Sequence, residues 1–252
     1  MGFDKSKGYF YGVLLGDGHI NYTPTAVANG SDKTNRRGPM LMLKCCDYDM
    51  IDAWKTAIKD ITGFDYKISK HNPGKNSHGK RQQYKLRVAE KSFVDEAEKV
   101  TQHKTIIPEE IRMGDKEAQI SFIQGLMDSE GWINLCLSGG LKMCDMTLGF
   151  ACADPWFEDF YRMVNAVGVG TSKIYNRKPS FKMNGEPTKA IRLFKMDIPS
   201  YINSGLGFTI KRKRDRLEFC SRILNDYTRD YPKYEDYYRA DDIVWPNVKA
   251  LD

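Results

Sequence analysis

A chain of 252 residues, 41% hydrophobic and 29% charged, has the size and composition of a soluble globular protein of one large or two small domains. Its formal net charge of +6 favours a polyanionic partner without establishing one. No apolar run approaches a membrane span, and the N-terminal MGFDKSKG has no secretory hydrophobic region, so membrane and secretory classes are disfavoured and a cytoplasmic or organellar location is expected.

The first predicted element is an apolar helix through Tyr9-Phe10-Tyr11-Gly12-Val13-Leu14-Leu15-Gly16, stopped by Asp17-Gly18. His19 to Thr25 alternates as a strand, a polar loop follows from Asn29 to Pro39, and Met40 to Cys46 returns as a second strand. Asp47 to Thr62 is an amphipathic helix with Ile51, Trp54, Ile58 and Ile61 inside and Gly63 as its stop. Tyr66 to Lys70 and Gln82 to Val88 form another strand pair, and Phe93 to Val100 a short helix. A linker containing Pro108 follows.

The order then repeats. A helix runs through Phe122-Ile123-Gln124-Gly125-Leu126-Met127-Asp128-Ser129 and stops at Glu130-Gly131. Trp132 to Leu137 and Thr147 to Cys152 are strands, Pro155 to Val167 a helix with Phe157, Phe160, Tyr161 and Val164 inside. Ser172 to Arg177 and Ala190 to Met196 are strands, and Ile198 to Asn203 a short helix. A fixed-order duplication is the feature that decides the architecture. It predicts an α+β protein of two pseudo-symmetric αββαββα halves, each with one twisted antiparallel sheet covered by helices on a single face. The expected boundaries are 1–103, a linker at 104–115, 116–224, and an extension at 225–252.

The two leading helices share a pattern that ordinary core helices do not need. Each has small residues four apart, Gly12/Gly16 and Gly125/Ser129, on one helix face. Glycine inside a helix costs about 1 kcal/mol against alanine, so this spacing points to two backbones in close approach. If the helices pair in parallel, Asp17 and Glu130 converge at the negative ends of both macrodipoles. That placement is unfavourable unless a cation compensates it.

Phe10 to Gly18 and Ile123 to Gly131 resemble the paired signature of the LAGLIDADG homing endonuclease family. The sixth position departs between copies, Leu15 in one and Asp128 in the other, while the acid position is intact in both. The resemblance implies a monomeric, two-motif DNA endonuclease with a DNA-binding saddle, cutting both strands of a long asymmetric site and leaving 3′ overhangs. It implies Mg²⁺ as cofactor, with Mn²⁺ able to substitute and Ca²⁺ supporting binding without cleavage. An RNA maturase, or a DNA-binding protein of the same fold without cleavage, is the alternative.

Phosphodiester hydrolysis needs an activated water and stabilised phosphate and leaving oxygens, which hard cations on a few carboxylates supply. Asp17 and Glu130 are the expected metal ligands and catalytic acids, with Gly16 and Ser129 beside them. The basic stretch Lys211-Arg212-Lys213-Arg214 opens the last long helix and resembles the family's segment whose lysine contacts the active-site water network. Lys211 is the first choice there, Lys213 the second, and Lys104 holds the similar place in the first half. Asp47 is a weaker pocket candidate that serves equally well as a helix N-cap. Asp128 is expected on another helix face, as a cap or surface group. The six cysteines form no C-x-x-C pair, so zinc spacing is absent.

The open face of each sheet is read from its charge. Lys67 to Arg87 holds seven basic residues and no acid, and Lys173 to Lys195 holds seven against Glu186 alone. Two such runs at matching repeat positions, interleaved with strand formers, suit a duplex whose major groove admits a β-ribbon. The expected DNA contacts are Asn21, Thr23, Lys44, Lys70, Gln83, Lys85, Arg87, Lys173, Arg177 and Arg192. The stretch from Asn225 to Asp252 carries seven acids against four bases and falls outside the repeat, away from DNA.

Overall fold

The computed structural model describes residues 3–21, 39–71, 81–138, 143–152, 155–170, 174–177, 188–194 and 197–225. Thr23, Lys173 and the stretch beyond 225 lie outside the described residues. The first half runs α1 (Phe3–Leu15), β1 (His19–Asn21), β2 (Met40–Cys45), α2 (Tyr48–Thr62), β3 (Ser69–His71), β4 (Gln83–Val88) and α3 (Lys91–Thr101). A short α4 (Glu109–Arg112) stands in the expected linker. The second half runs α5 (Lys116–Ser129), β5 (Trp132–Ser138), β6 (Met143–Cys152), α6 (Phe157–Ala166), β7 (Ile174–Arg177), β8 (Thr188–Phe194) and α7 (Ile198–Asn203), and then α8 (Lys211–Asn225).

Each half folds into a four-stranded antiparallel sheet, with orders β1-β2-β4-β3 and β5-β6-β8-β7. The register explains the alternation in the sequence. In β2 and β4, Leu41, Leu43, Leu86 and Val88 are fully buried against helices, while Lys44 and Arg87 on the opposite face are exposed. Pairing of Lys44 with Lys85 and of Met42 with Arg87 puts these side chains on one open face. In the second sheet Ile133, Leu148, Phe150, Ile191 and Leu193 take the buried role. The helices cover them with Phe157, Phe160 and Met163, all buried; Tyr161, expected inside, is only partly so.

Helix α2 is anchored to α1 by polar as well as apolar contact. Trp54 is fully buried, its ring stacks on Phe10 at 5.9 Å, and its Nε1 donates to the Phe10 carbonyl at 3.1 Å. Gly63 ends α2 in the left-handed conformation, φ 76°, with its N–H on the Lys59 carbonyl.

The two halves meet where α1 lies alongside α5. A Cβ placed on Gly12 would strike the Phe122 carbonyl oxygen and come within 2.9 Å of the Leu126 nitrogen. One on Gly125 would sit 2.6 Å from the Tyr9 carbonyl oxygen. Main chain therefore touches main chain at two points, which no side chain would permit. Contacts advance together, Gly8 facing Ala118, Gly12 facing Phe122 and Gly16 facing Ser129, so the helices are parallel and end side by side. Gly18 and Gly131 follow the helices but neither has positive φ. They are glycine for room: a Cβ on Gly18 would meet Leu14 Cα at 2.6 Å, and one on Gly131 Met127 Cα at 2.9 Å.

Candidate active site

The parallel seam delivers Asp17 and Glu130 to one end of the molecule. Glu130 is the C-cap of α5 and its N–H donates to the Leu126 carbonyl at 2.9 Å. Its Cγ lies 3.5 Å from where a Cβ on Gly16 would stand, one residue before Asp17. Asp17 is half-buried. Burial raises its carboxyl above the ordinary carboxylate value, and neighbouring Asp47 pushes the same way; Lys213, Lys104 and His19 pull it back down. It is a desolvated acid among cations drawn from both halves.

Those cations answer the helix-end problem. Lys104 Nζ donates to the carbonyls of Gly16 at 2.9 Å and Gly18 at 2.8 Å. Lys213 Nζ donates to the carbonyls of Met127 at 2.9 Å, Asp128 at 2.6 Å and Gly131 at 2.7 Å. The last carbonyls of a helix lack intrahelical partners and carry its negative end. One lysine closes each motif helix, so the pseudo-symmetry extends to the second layer of the site. Lys104 reaches its place from three consecutive left-handed residues, Gln102 at φ 44°, His103 at φ 58° and Lys104 at φ 68°. Each such non-glycine residue costs roughly 1–2 kcal/mol. The turn is held by Thr101, whose main-chain carbonyl accepts from Thr105 at 2.9 Å and whose Oγ1 accepts from the Lys104 N–H at 3.3 Å.

Lys211, ranked first from the sequence, points elsewhere. Its ammonium is exposed and paired with Asp215 at 2.6 Å, while its main-chain N–H is held by Asp49. The second choice, Lys213, is the lysine at the acids. A signal for this was present in the sequence: Ile210, Lys213, Leu217 and Cys220 follow helical spacing, and all four are buried. A lysine on an apolar stripe is committed to an internal partner, and Lys211 is off that stripe.

Asp128 decides between the two roles expected of it, cap or surface group. It is no surface group: it is 2% exposed and accepts from Tyr9 Oη at 2.9 Å and from the main-chain N–H groups of Thr209 at 3.0 Å and Ile210 at 3.3 Å. It caps the approach to α8, which packs against β5 of the same half. Asp47 stands at the N-cap of α2 without making a cap bond; its carboxylate holds Arg212 through two 2.8 Å bonds. Asp47, Asp49 and Asp128 thus collect the four-cation start of α8, whose basic first turn opposes the helix dipole.

Of the other expected ligands, the Gly16 carbonyl is engaged by Lys104 and the Ser129 hydroxyl donates to the Gly125 carbonyl at 3.1 Å. Asp17 and Glu130 bring one carboxylate from each motif to the seam end. Among the described residues no group of three or more His, Cys, Asp or Glu converges as a self-sufficient metal cage. A carboxylate pair fits Mg²⁺, which binds through one or two carboxylates and completes its shell with water and substrate phosphate.

Asn21, Lys44, Gln83, Lys85 and Arg87 share the open face of the first sheet by register. The Lys85 ammonium is pushed below its usual value by desolvation and by Arg87 and Lys44 beside it. Lys70 departs from expectation: it pairs with Tyr84, so it stands on the helix-facing side of the sheet, at an exposed edge. A strand offset of one residue reverses every face. Arg192 lies on the open face of the second sheet with its guanidinium over the Tyr175 ring at 5.5 Å. Arg177 pairs with Thr188 at that sheet's edge.

Lys213 yields a direct test. Replacing it with methionine strands three carbonyls, and the expected loss is about 2–3 kcal/mol in urea unfolding; Lys211→Met is expected to stay within about 0.5 kcal/mol. Burial lowers the Lys213 pKa from 10.5 to about 8, with Arg212 adding to the shift. The unfolded chain then binds more protons between these values, so stability rises with pH from about 8 to 10.5. That rise, roughly 3 kcal/mol at most, should be absent in Lys213→Met.

Two sheets with open faces, joined by parallel glycine-lined helices that end in acids, define the fold of the LAGLIDADG homing endonucleases. No protein-family profile and no curated protein sequence matches the chain. Among solved structures it is similar to the LAGLIDADG homing endonuclease I-GzeII in complex with its DNA target, with TM-score 0.54 and 12% identity, over 92% of this chain and 96% of that one. It is similar to I-DmoI in complex with DNA and Mn, with TM-score 0.50 and 17% identity, over 90% and 100% of the two chains. Full-length DUF199/WhiA from Thermatoga maritima gives TM-score 0.50 and 10% identity, over 94% of this chain and 66% of that one. At these identities the likeness is one of fold. Among the described residues no helix is long and apolar enough to cross a membrane.

Proposed function

We propose that the chain is a site-specific, metal-dependent DNA endonuclease that cuts both strands of a long asymmetric duplex as a monomer and leaves 3′ overhangs. The convergence of Asp17 and Glu130 at the glycine-lined seam, between two open-faced sheets, carries this reading. Similar structures bound to target DNA, one of them with Mn, support it. The same seam supports reading residues 1–103 and 116–224 as two DNA-binding halves.

Asp17 and Glu130 would hold Mg²⁺ or Mn²⁺. Bound there, a divalent cation polarises the phosphate, lowers the pKa of the attacking water and stabilises the leaving oxygen. The chain's own part is to present one acid per half. Lys104 and Lys213 fix the ends of the helices that carry them and offset the repulsion between them. They are positioning residues: their ammonium groups are occupied by main-chain carbonyls. Lys44, Lys85 and Arg87 neutralise phosphates or reach base edges.

The test is cleavage of duplexes selected from a randomised pool and cloned in a plasmid. With Mg²⁺ the chain is expected to linearise the plasmid, and EDTA to stop it. Far tighter binding to structured intron RNA than to any duplex would favour the maturase reading instead. Duplex affinity should also fall steeply with salt. Each alanine substitution of Lys44, Lys85 or Arg87 that removes a phosphate contact is expected to reduce the slope of log K against log salt by about 0.9.

A further inference from the structure

The two lysines at the acids are already engaged by the protein itself. An ammonium has three N–H donors, and Lys213 gives one to each of the carbonyls of Met127, Asp128 and Gly131. Lys104 is held in the same way by Gly16 and Gly18. The residue before Lys213 is differently placed. The Arg212 side chain is 49% exposed, and the Asp47 carboxylate grips it side-on, accepting from Nε and from Nη2 at 2.8 Å each. A guanidinium has five N–H groups. The others, two on Nη1 and one on Nη2, make no hydrogen bond among the described residues. A carboxylate on the side of the fork leaves its end open, and that end can pair bidentately with a phosphate.

The surroundings put this fork at the acids. Lys213, next to Arg212 on α8, bonds carbonyls on both sides of Glu130. Asp47 is near enough to Asp17 to raise its carboxyl. Asp49 fixes the main chain at the start of α8 by accepting from the Lys211 N–H. Asp47 and Asp49 belong to the first half and Arg212 to the second, so the pair exists only when the halves are seated together. Fastening them is a weak reason for it. An exposed ion pair adds little stability, and Asp47 forgoes the N-cap bond that its position on α2 offers. We propose that Arg212 contacts a backbone phosphate beside the cut, with Asp47 as the positioning residue that aims it from the other half. The proposal rests on the endonuclease reading. A cation fixed there in advance offsets negative charge developing on the phosphate without reorganising in the reaction.

The experiment selects duplexes from a randomised pool with the full chain in Ca²⁺. Phosphates around the cut of a selected site are then replaced singly by methylphosphonate, which removes the charge and keeps the base sequence. For the wild type, one such replacement is expected to cost about tenfold in affinity, the size of one charge-assisted hydrogen bond. For Arg212→Met that cost should disappear at the same phosphate and the others should keep theirs. Arg212→Gln is the second neutral variant, used if methionine unsettles the start of α8, and the urea midpoint checks the fold of both. Asp47→Asn is expected to slow single-turnover cleavage in Mg²⁺ at least tenfold at saturating protein without weakening affinity, because it releases the guanidinium while removing a negative charge. A purely structural pair would not divide rate from affinity in this way. A methylphosphonate profile identical in the wild type and a folded neutral variant, or an Asp47→Asn rate equal to that of the wild type, overturns the proposal while specific cutting stands. Failure to retain any duplex sequence overturns the endonuclease reading with it.

Discussion

Asp17→Asn is expected to reduce strand cleavage by about a thousandfold or more while leaving target affinity within a few-fold of wild type. A metal ligand at a developing phosphorane supplies several kcal/mol of charge stabilisation, and each 1.36 kcal/mol is a factor of ten in rate. Asparagine keeps the shape and one oxygen but loses the charge. The same substitution relieves the desolvated acid at the seam, so folding stability should be unchanged or slightly higher. Glu130→Gln is expected to behave alike, because the two acids come from equivalent positions of the repeat. Gel-resolved nicking against linearisation measures both. Each single variant should nick one strand at most, and a double variant that still linearises the plasmid would remove the assigned chemistry.

Gly12→Ala should destabilise the fold by about 2–3 kcal/mol, read from the urea midpoint. Helix propensity alone predicts the opposite sign, a gain of about 1 kcal/mol for alanine. Packing reverses it: the added methyl would lie against the Phe122 carbonyl and within 2.9 Å of the Leu126 nitrogen. Both are main-chain atoms of a hydrogen-bonded helix, so relief requires moving all of α5. Overpacking of this kind costs roughly 1–3 kcal/mol and occasionally more, against a typical total of about 5–15 kcal/mol. Gly125→Ala should lose a similar amount through the Tyr9 carbonyl. Gly170 has nothing within 4 Å of an added Cβ, so Gly170→Ala should move the midpoint little. A midpoint that rises in Gly12→Ala would mean the helices are not in contact there.

The architecture was legible because it rests on periodicities that a sequence displays. Alternation in β2 and β4, helical spacing in α2, and the doubled small-residue pattern each correspond to a face that is buried in the fold. What escaped was set by partners far along the chain. Asp128 reads as a polar residue near a helix end, and only the approach of Thr209 and Ile210 makes it a buried cap. Asp47 sits at an N-cap position, yet its carboxylate is claimed by Arg212 from α8. Lys70 was misplaced although alternation puts it on the side of Tyr66 and Ile68, which pack against the core. The choice between Lys211 and Lys213 was recoverable: the apolar stripe of α8 picks out the second. Gly18 and Gly131 were recognised as helix stops, but for steric room rather than for a left-handed turn.

At the junction of the halves, what one side demands of the other is emptiness. Where carbonyl and amide of facing backbones fill the contact at Gly12 and Gly125, the side chains that mark one half as belonging to the other are few, Tyr9 with Asp128 and Asp47 with Arg212 among them. Halves of different ancestry with the same vacancies at the same intervals should therefore join with little adjustment. The surfaces that touch a ligand can then change independently on the two sides. A chimaera joining residues 1–115 of this chain to the second half of another protein of this fold should assemble, and its preferred sequence should be a hybrid of the two parents'.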